Sequence, residues 1–118
     1  MAQAMGSPGY PTDEKVLRQR IAETLKNAPD PARAARQGAA AALGGDRRPR
    51  LKTIEAPTVV LHGADDPMFP VAHGKDTAAS IPGAELRVIP GLGHDLPDAL
   101  VPVFADAIAA AAKRAPKP

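Results

Sequence analysis

Two short stretches hold residue types that can do proton-transfer chemistry together. "VVLHGADDPMFP" (59–70) ends an apolar run in His62 and Gly63, then places Asp65 and Asp66 side by side before Pro67 and Pro70. "IPGLGHDLP" (89–97) sets His94 between Gly93 and Asp95. A carboxylate that accepts from one imidazole nitrogen fixes the tautomer and steadies the ring when it is protonated, which leaves the other nitrogen for a reacting group. Such a pair works as an acid and base partnership, provided the fold brings the two loops together.

The elements around these stretches do that. "TVVLHG" is short, continuous and β-branched, as expected of a strand covered on both faces of a parallel sheet. "VAHGKDTAASIPG" reads as a helix that ends near Pro82 and Gly83, and "AELRVIPG" as a second strand. "DLPDALVPVFADAIAAAAKRA" reads as a C-terminal helix starting around Pro97, with Leu100, Val103, Phe104 and Ile108 turned inward and Pro102 tolerated in its first turns. Strand–helix–strand is the unit of a parallel α/β sheet. Its two strands point the same way, so both acid- and base-bearing loops emerge at the carboxyl end, where ligands gather in open α/β sheets.

The first part of the chain is helical in pattern. Residues 1–12 are rich in Gly, Pro and Ser and read as loop. "TDEKVLRQRIAETLKNA" reads as a helix capped by Thr12 or Asp13, with Val16, Leu17, Ile21 and Leu25 on one face. "PDPARAARQGAAAALGG" reads as a second, capped by Asp30, opened by Pro31 and stopped at Gly44–Gly45. "DRRPRLKTIEAP" is a connector. The division expected is 1–50 for a helical segment and connector, 51–113 for the strand–helix–strand–helix part, and 114–118 for a disordered tail.

The segments "APTVVLHGADDPMFPVAHG" and "IPGAELRVIPGLGHDLP" together resemble the C-terminal third of an α/β-hydrolase of the esterase and haloperoxidase-like kind. In that family the chain order is nucleophile, acid, histidine. The resemblance assigns Asp66, in the setting Gly63-Ala64-Asp65-Asp66 with Pro70 following, as the triad acid, and His94 as the base. Asp65 is then a turn residue or a supporting acceptor; His62, at the strand end, is structural or hydrogen-bonded to loop backbone, and His73 stands on the first turn of a surface helix. Residues from about 6 to 45 resemble the end of the helical lid that covers such sites. The fold implied is thus a partial α/β-hydrolase fold: two C-terminal parallel strands with flanking helices, preceded by a lid segment.

The resemblance lacks one part. The family's nucleophile stands in a Gly-x-Ser-x-Gly elbow upstream of the lid. The two serines here are Ser7, in "MGSPG", and Ser80, in "AASIP", and neither has that spacing. The implied complete protein is an ester hydrolase acting on a small-molecule ester, and this chain is expected to be inactive alone for want of an activated nucleophile. On that reading the first five or six strands are missing, and Met1 or Met5 serves as an internal start. The alternative is a non-catalytic protein that docks on a partner, or on itself, through an exposed strand edge.

Composition narrows the rest. A formal charge of +2, with scattered basic residues apart from "GDRRPRLK" and no interleaved aromatics, argues against nucleic-acid binding. With no cysteine there is neither a disulfide framework nor a thiolate metal site. His62, Asp65, Asp66 and His94 lack a recognisable ligand spacing, so neither a metal nor another cofactor is expected. No apolar run approaches a membrane span and no signal peptide pattern opens the chain, so a soluble, cytoplasmic protein is expected. Aromatics are only 3% of residues (Tyr10, Phe69 and Phe104). The large side chains that fill small cores are therefore scarce, and the core is expected to be thin.

Overall fold

The computed structural model describes residues 2–27 and 32–116. Its elements run α1 (Ala2–Met5), α2 (Glu14–Lys26), α3 (Ala32–Leu43), α4 (Arg48–Leu51), β1 (Val59–Gly63), α5 (Val71–Ser80), β2 (Glu85–Ile89), a 3₁₀ turn (Asp98–Leu100) and α6 (Val101–Arg114). Contacts divide the chain into two units. One is Asp13–Arg47; the other joins Met1–Thr12 to Arg48–Pro118.

In the unit 13–47, Asp13 caps α2, its carboxylate accepting from the N–H of Lys15 at 2.9 Å and of Val16 at 3.2 Å. These are donors that the first turn of a helix leaves without an internal partner. Glu14 and Arg18, one turn apart, pair at 2.6 Å. The apolar face expected of α2 exists as a stripe but is not covered, since neither α2 nor α3 buries a residue. Leu25 is 68% exposed and Leu43 88%. The cap expected at Asp30 and the helix start expected at Pro31 lie outside the described residues, as do the last two positions of the tail.

The other unit is an α/β arrangement. Among the described residues its sheet has two strands, β1 and β2, paired in parallel from Val59 opposite Glu85 to Gly63 opposite Ile89. The ladder opens with the Glu85 N–H donating to the Thr58 carbonyl at 3.0 Å. α5 connects the strands and packs on both, and α6 packs on β1. Arg114, in the last turn of α6, donates to the Thr58 carbonyl at 2.9 Å and thereby ties the end of the chain to the start of the sheet. Among the described residues the buried apolar side chains are few: Ile81, Leu92, Leu100 and Ala107. That is the thin core expected from a chain nearly free of aromatics.

Three features depart from the sequence reading. The connector after residue 45 contains a short helix, α4, with Arg48 in its first turn placed 4.0 Å from Asp76 of α5. Residues 1–12, read as loop and grouped with the helical first part, include α1 and pack with the strands. Ile108, expected to face inward, is 71% exposed, whereas Leu100 is buried and Val103 and Phe104 are half-buried. The last departure has a physical reason. β1 is half-buried along most of its length rather than covered on both faces. Alongside it α5 and α6 wall an open groove of about 890 Å³, lined by Val59, Leu61, Thr77, Phe104, Ala107 and Ile108 among others. Ile108 therefore faces the groove rather than a packed layer.

Where β1 ends, Gly63 lies directly against the backbone that follows β2. A Cβ there would meet the Leu92 carbonyl oxygen at 2.3 Å and that of Gly93 at 2.6 Å. Both obstacles are main chain and cannot rotate aside. Gly63→Ala is expected to lower stability by about 1–3 kcal/mol, as overpacking does. Gly38→Ala, on α3 with open space around it, should be neutral or stabilising by up to ~1 kcal/mol. Urea titrations followed by circular dichroism compare the two variants, and equal midpoints would contradict this reading of Gly63.

Candidate active site

The site forms where the turns after β1 and β2 meet. Asp66 Oδ2 lies 2.7 Å from His94 Nδ1. Asp66 Oδ1 accepts from the N–H groups of Met68 at 2.8 Å and Phe69 at 2.9 Å. An Asp that hydrogen-bonds the backbone two and three residues on is the Asx-turn arrangement favoured by "DDPMFP". It locks the carboxylate's rotation so that its second oxygen points at the ring. The Asp66 side chain is 6% exposed and that of His94 38%. One partner is therefore fixed inside while the other faces solvent across the ring.

Asp65 turns away from the imidazole. Its Oδ2 accepts from the Gly91 N–H at 2.7 Å, and its own N–H donates to the Leu92 carbonyl at 3.1 Å. Asp65 thus latches the turn after β1 to the turn after β2, and Asp66 alone reaches His94. His62 Nε2 lies 2.8 Å from the Phe69 carbonyl oxygen and 3.9 Å from Asp66 Oδ2. It braces the 66–69 turn through its backbone. The Phe69 ring stands tilted between His73 and His94, with centroids 5.8 and 5.3 Å away. His73 itself is on the exposed first turn of α5. Among the described residues no three His, Asp or Glu side chains form a group that could hold a metal ion.

Burial of the Asp66 carboxyl disfavours its charge, but the N–H of Phe69, the His94 ring and the N–H of Met68 together outweigh it, so the group titrates below its ordinary value of 3.8. Donors aimed at the ionised form do this wherever they converge on one carboxylate.

Residues 5–10 complete the site. The His94 N–H donates to the Met5 carbonyl at 2.8 Å and the Gly9 N–H to the Gly91 carbonyl at 2.9 Å. Ser7 is 3% exposed. Its hydroxyl donates to Asp95 Oδ1 and accepts from the Gly93 N–H at 2.9 Å. In sequence terms Ser7 stands out only as a possible nucleophile, a role its Gly and Pro neighbours do not fit. The Gly–Pro flanks of Ser7 signal a tight turn, and the Tyr10 N–H does close one on the Ser7 carbonyl at 3.1 Å. Nothing local in "MGSPG" marks a contact 88 residues away. Ser80, the other serine, ends α5 and donates to the Asp76 carbonyl at 2.7 Å.

No protein-family model matches the chain. A stretch of 47 residues is 40% identical to a non-heme haloperoxidase of Rhodococcus erythropolis, covering 39% of this chain and 17% of that protein. Another of 49 residues is 45% identical to a 2-hydroxy-6-oxo-6-phenylhexa-2,4-dienoate hydrolase of Burkholderia cepacia, covering 42% of this chain and 17% of the relative. A third, of 53 residues, is 45% identical to the non-heme chloroperoxidase CPO-A1 of Kitasatospora aureofaciens, covering 44% and 18%. The chain thus spans less than a fifth of the length of these relatives. The relatives are hydrolases and haloperoxidases of the α/β-hydrolase family, which supports that family and an α/β fold for this chain. Among the described residues no helix is long and apolar enough to cross a membrane.

The Asp66 carboxyl makes a signed prediction. Its value is lowered on folding, so its contribution to stability is complete above pH 3.8 and is lost as pH falls through the lowered value. Asp66→Asn keeps the shape but has no charge to titrate. The stability gap between the two proteins should be widest near neutrality and narrow below about pH 4. Urea titrations from pH 7 to pH 2 read it; a constant gap would contradict the assignment.

Proposed function

We propose that this chain supplies the catalytic acid and base of a Ser-His-Asp carboxylic-ester hydrolase. The observation that carries the reading is the Asp66–His94 contact of 2.7 Å, formed between turns at the carboxyl ends of neighbouring parallel strands. The partial similarity to α/β-hydrolase relatives supports it. In the complete protein a serine from an elbow that this sequence lacks attacks the ester carbonyl. His94 takes the serine's proton through Nε2 and returns it to the departing alcohol. Asp66, ionised and buried, holds the Nδ1 proton and stabilises the ring's positive charge. A water then attacks the resulting acyl-enzyme with His94 as base; the bond to the serine oxygen breaks, His94 returns the proton to that oxygen, and the carboxylic acid is released. Neither serine present fits the nucleophile's place: Ser7 is buried behind the His94 turn and Ser80 closes a helix.

A second reading rests on the groove beside β1. Among the described residues that edge of the strand has no neighbour, and apolar side chains of α6 flank it. An unpaired edge is a template for another strand. On this reading the chain associates, with itself or a partner, by adding a strand there.

Two experiments test these readings. The chain alone should show no turnover of a short-chain activated ester and no labelling by a serine-directed phosphonate. A chimera that places the upstream strands and elbow of an α/β-hydrolase before it should turn over. In that chimera His94→Ala or Asp66→Asn should lose about 10³–10⁴-fold in kcat. An active chimera indifferent to both substitutions sinks the assignment. For the second reading, sedimentation of the chain alone should show association that rises with concentration and is weakened by Ile108→Glu. A monomer at all concentrations counts against it.

A further inference from the structure

The turn that carries His94 is held by its backbone. Four successive N–H groups have partners: Gly91 donates to Asp65 Oδ2 at 2.7 Å, Leu92 to the Ile89 carbonyl at 3.3 Å, Gly93 to Ser7 Oγ at 2.9 Å and His94 to the Met5 carbonyl at 2.8 Å. Two of the four acceptors come from residues 5–7, at the far end of the sequence. Gly93 has no room for a side chain on that side, since a Cβ would meet the Gly6 carbonyl oxygen at 2.5 Å and that of Met5 at 2.8 Å.

We infer that Ser7 is a positioning residue for His94, acting through the Gly93 amide and itself oriented by Asp95. Resting on the base role proposed for His94, this assigns the polar clasp that sets where the imidazole stands relative to Asp66. A serine hydroxyl has one proton and two acceptor sites. Here the proton is given to Asp95 Oδ1, so the oxygen necessarily presents a lone pair to the Gly93 N–H. A carboxylate acceptor also makes the hydroxyl oxygen a stronger acceptor in turn, as in any chain of polarised hydrogen bonds. The Gly93 N–H lies in the Leu92–Gly93 peptide plane and the His94 N–H in the Gly93–His94 plane; Ser7 holds the first and the Met5 carbonyl the second, so both planes flanking the Gly93 Cα are fixed and the His94 backbone is set by them together. Asp66 is locked from its own side by Met68 and Phe69, so the 2.7 Å contact to His94 depends on the histidine turn being locked as well. Ser7 is sealed from solvent at 3% exposure. Its role is therefore in geometry rather than in contact with a substrate.

NMR of the full 118-residue chain tests this. In the wild type the Gly93 amide should be protected from exchange, and a downfield His94 Nδ1 proton should be seen that Asp66→Asn abolishes. Ser7→Ala should speed Gly93 exchange by about tenfold or more and shift or broaden the His94 proton, while the amides of the β1–β2 ladder stay protected. Asp95→Ala, at a half-buried position, should do the same to a smaller extent, and Asp95→Asn, which keeps an acceptor, should restore both signals. If Ser7→Ala loses the ladder too, Asp95→Ala decides. The inference is overturned if Gly93 is unprotected in the wild type, if neither variant changes Gly93 and His94, or if both variants lose protection uniformly. The base role is judged separately by turnover of the chimera: an active chimera indifferent to His94→Ala would sink that role and leave the clasp standing.

Discussion

One parallel ladder determines where everything else in the larger unit can be. β1 and β2 align from Val59–Glu85 to Gly63–Ile89, and parallel alignment obliges both strands to end at the same side. Antiparallel pairing of the same segments would send Asp66 and His94 to opposite ends. α5 is long enough to return the chain to the start of β2, and Arg114 then fastens α6 over the entry of the sheet at Thr58. With so few buried large side chains, the order of this unit leans on main-chain polar contacts more than a chain of richer aromatic content would need.

The two aspartates show how neighbouring identical residues acquire different work. They lie on the same turn, yet Asp65 spends its carboxylate on a backbone donor of the opposite turn and Asp66 spends one oxygen on its own turn and the other on the imidazole. One aspartate joins the two turns and the other faces the site.

Much of the site was legible in the sequence, for reasons that can be stated. The β-branched run 58–61 and the short helix after Pro70 are local signals, and they placed the two turns correctly relative to one another. The assignment of Asp66 over Asp65 came from the resemblance, and the structure gives Asp66 the contact with His94. For His62 the sequence leaves a structural role or a bond to loop backbone open, and its Nε2 lies 2.8 Å from the Phe69 carbonyl oxygen. Ile108 was misplaced because a helical apolar stripe reports which residues share a face, and not whether anything covers that face. The same holds for Val16, Ile21 and Leu25 of α2. Ser7 was missed because its partners, Gly93 and Asp95, are distant in sequence and no periodicity relates them.

The contact between residues 5–6 and the turn 91–94 is made almost wholly by main chain, with glycine at its closest approach. Backbone recognises backbone there, and most side chains are bystanders. A saturation scan of this region would therefore be sharply uneven. Gly93, and Gly63 on the other side of the same turn, would accept almost nothing larger. Met5, whose part is played by its carbonyl, would accept nearly any residue other than one that redirects the chain. Leu96, 74% exposed just beyond the turn, would be equally permissive. Two positions that look apolar and structural on paper would carry little information, and the glycines that look featureless would carry most of it.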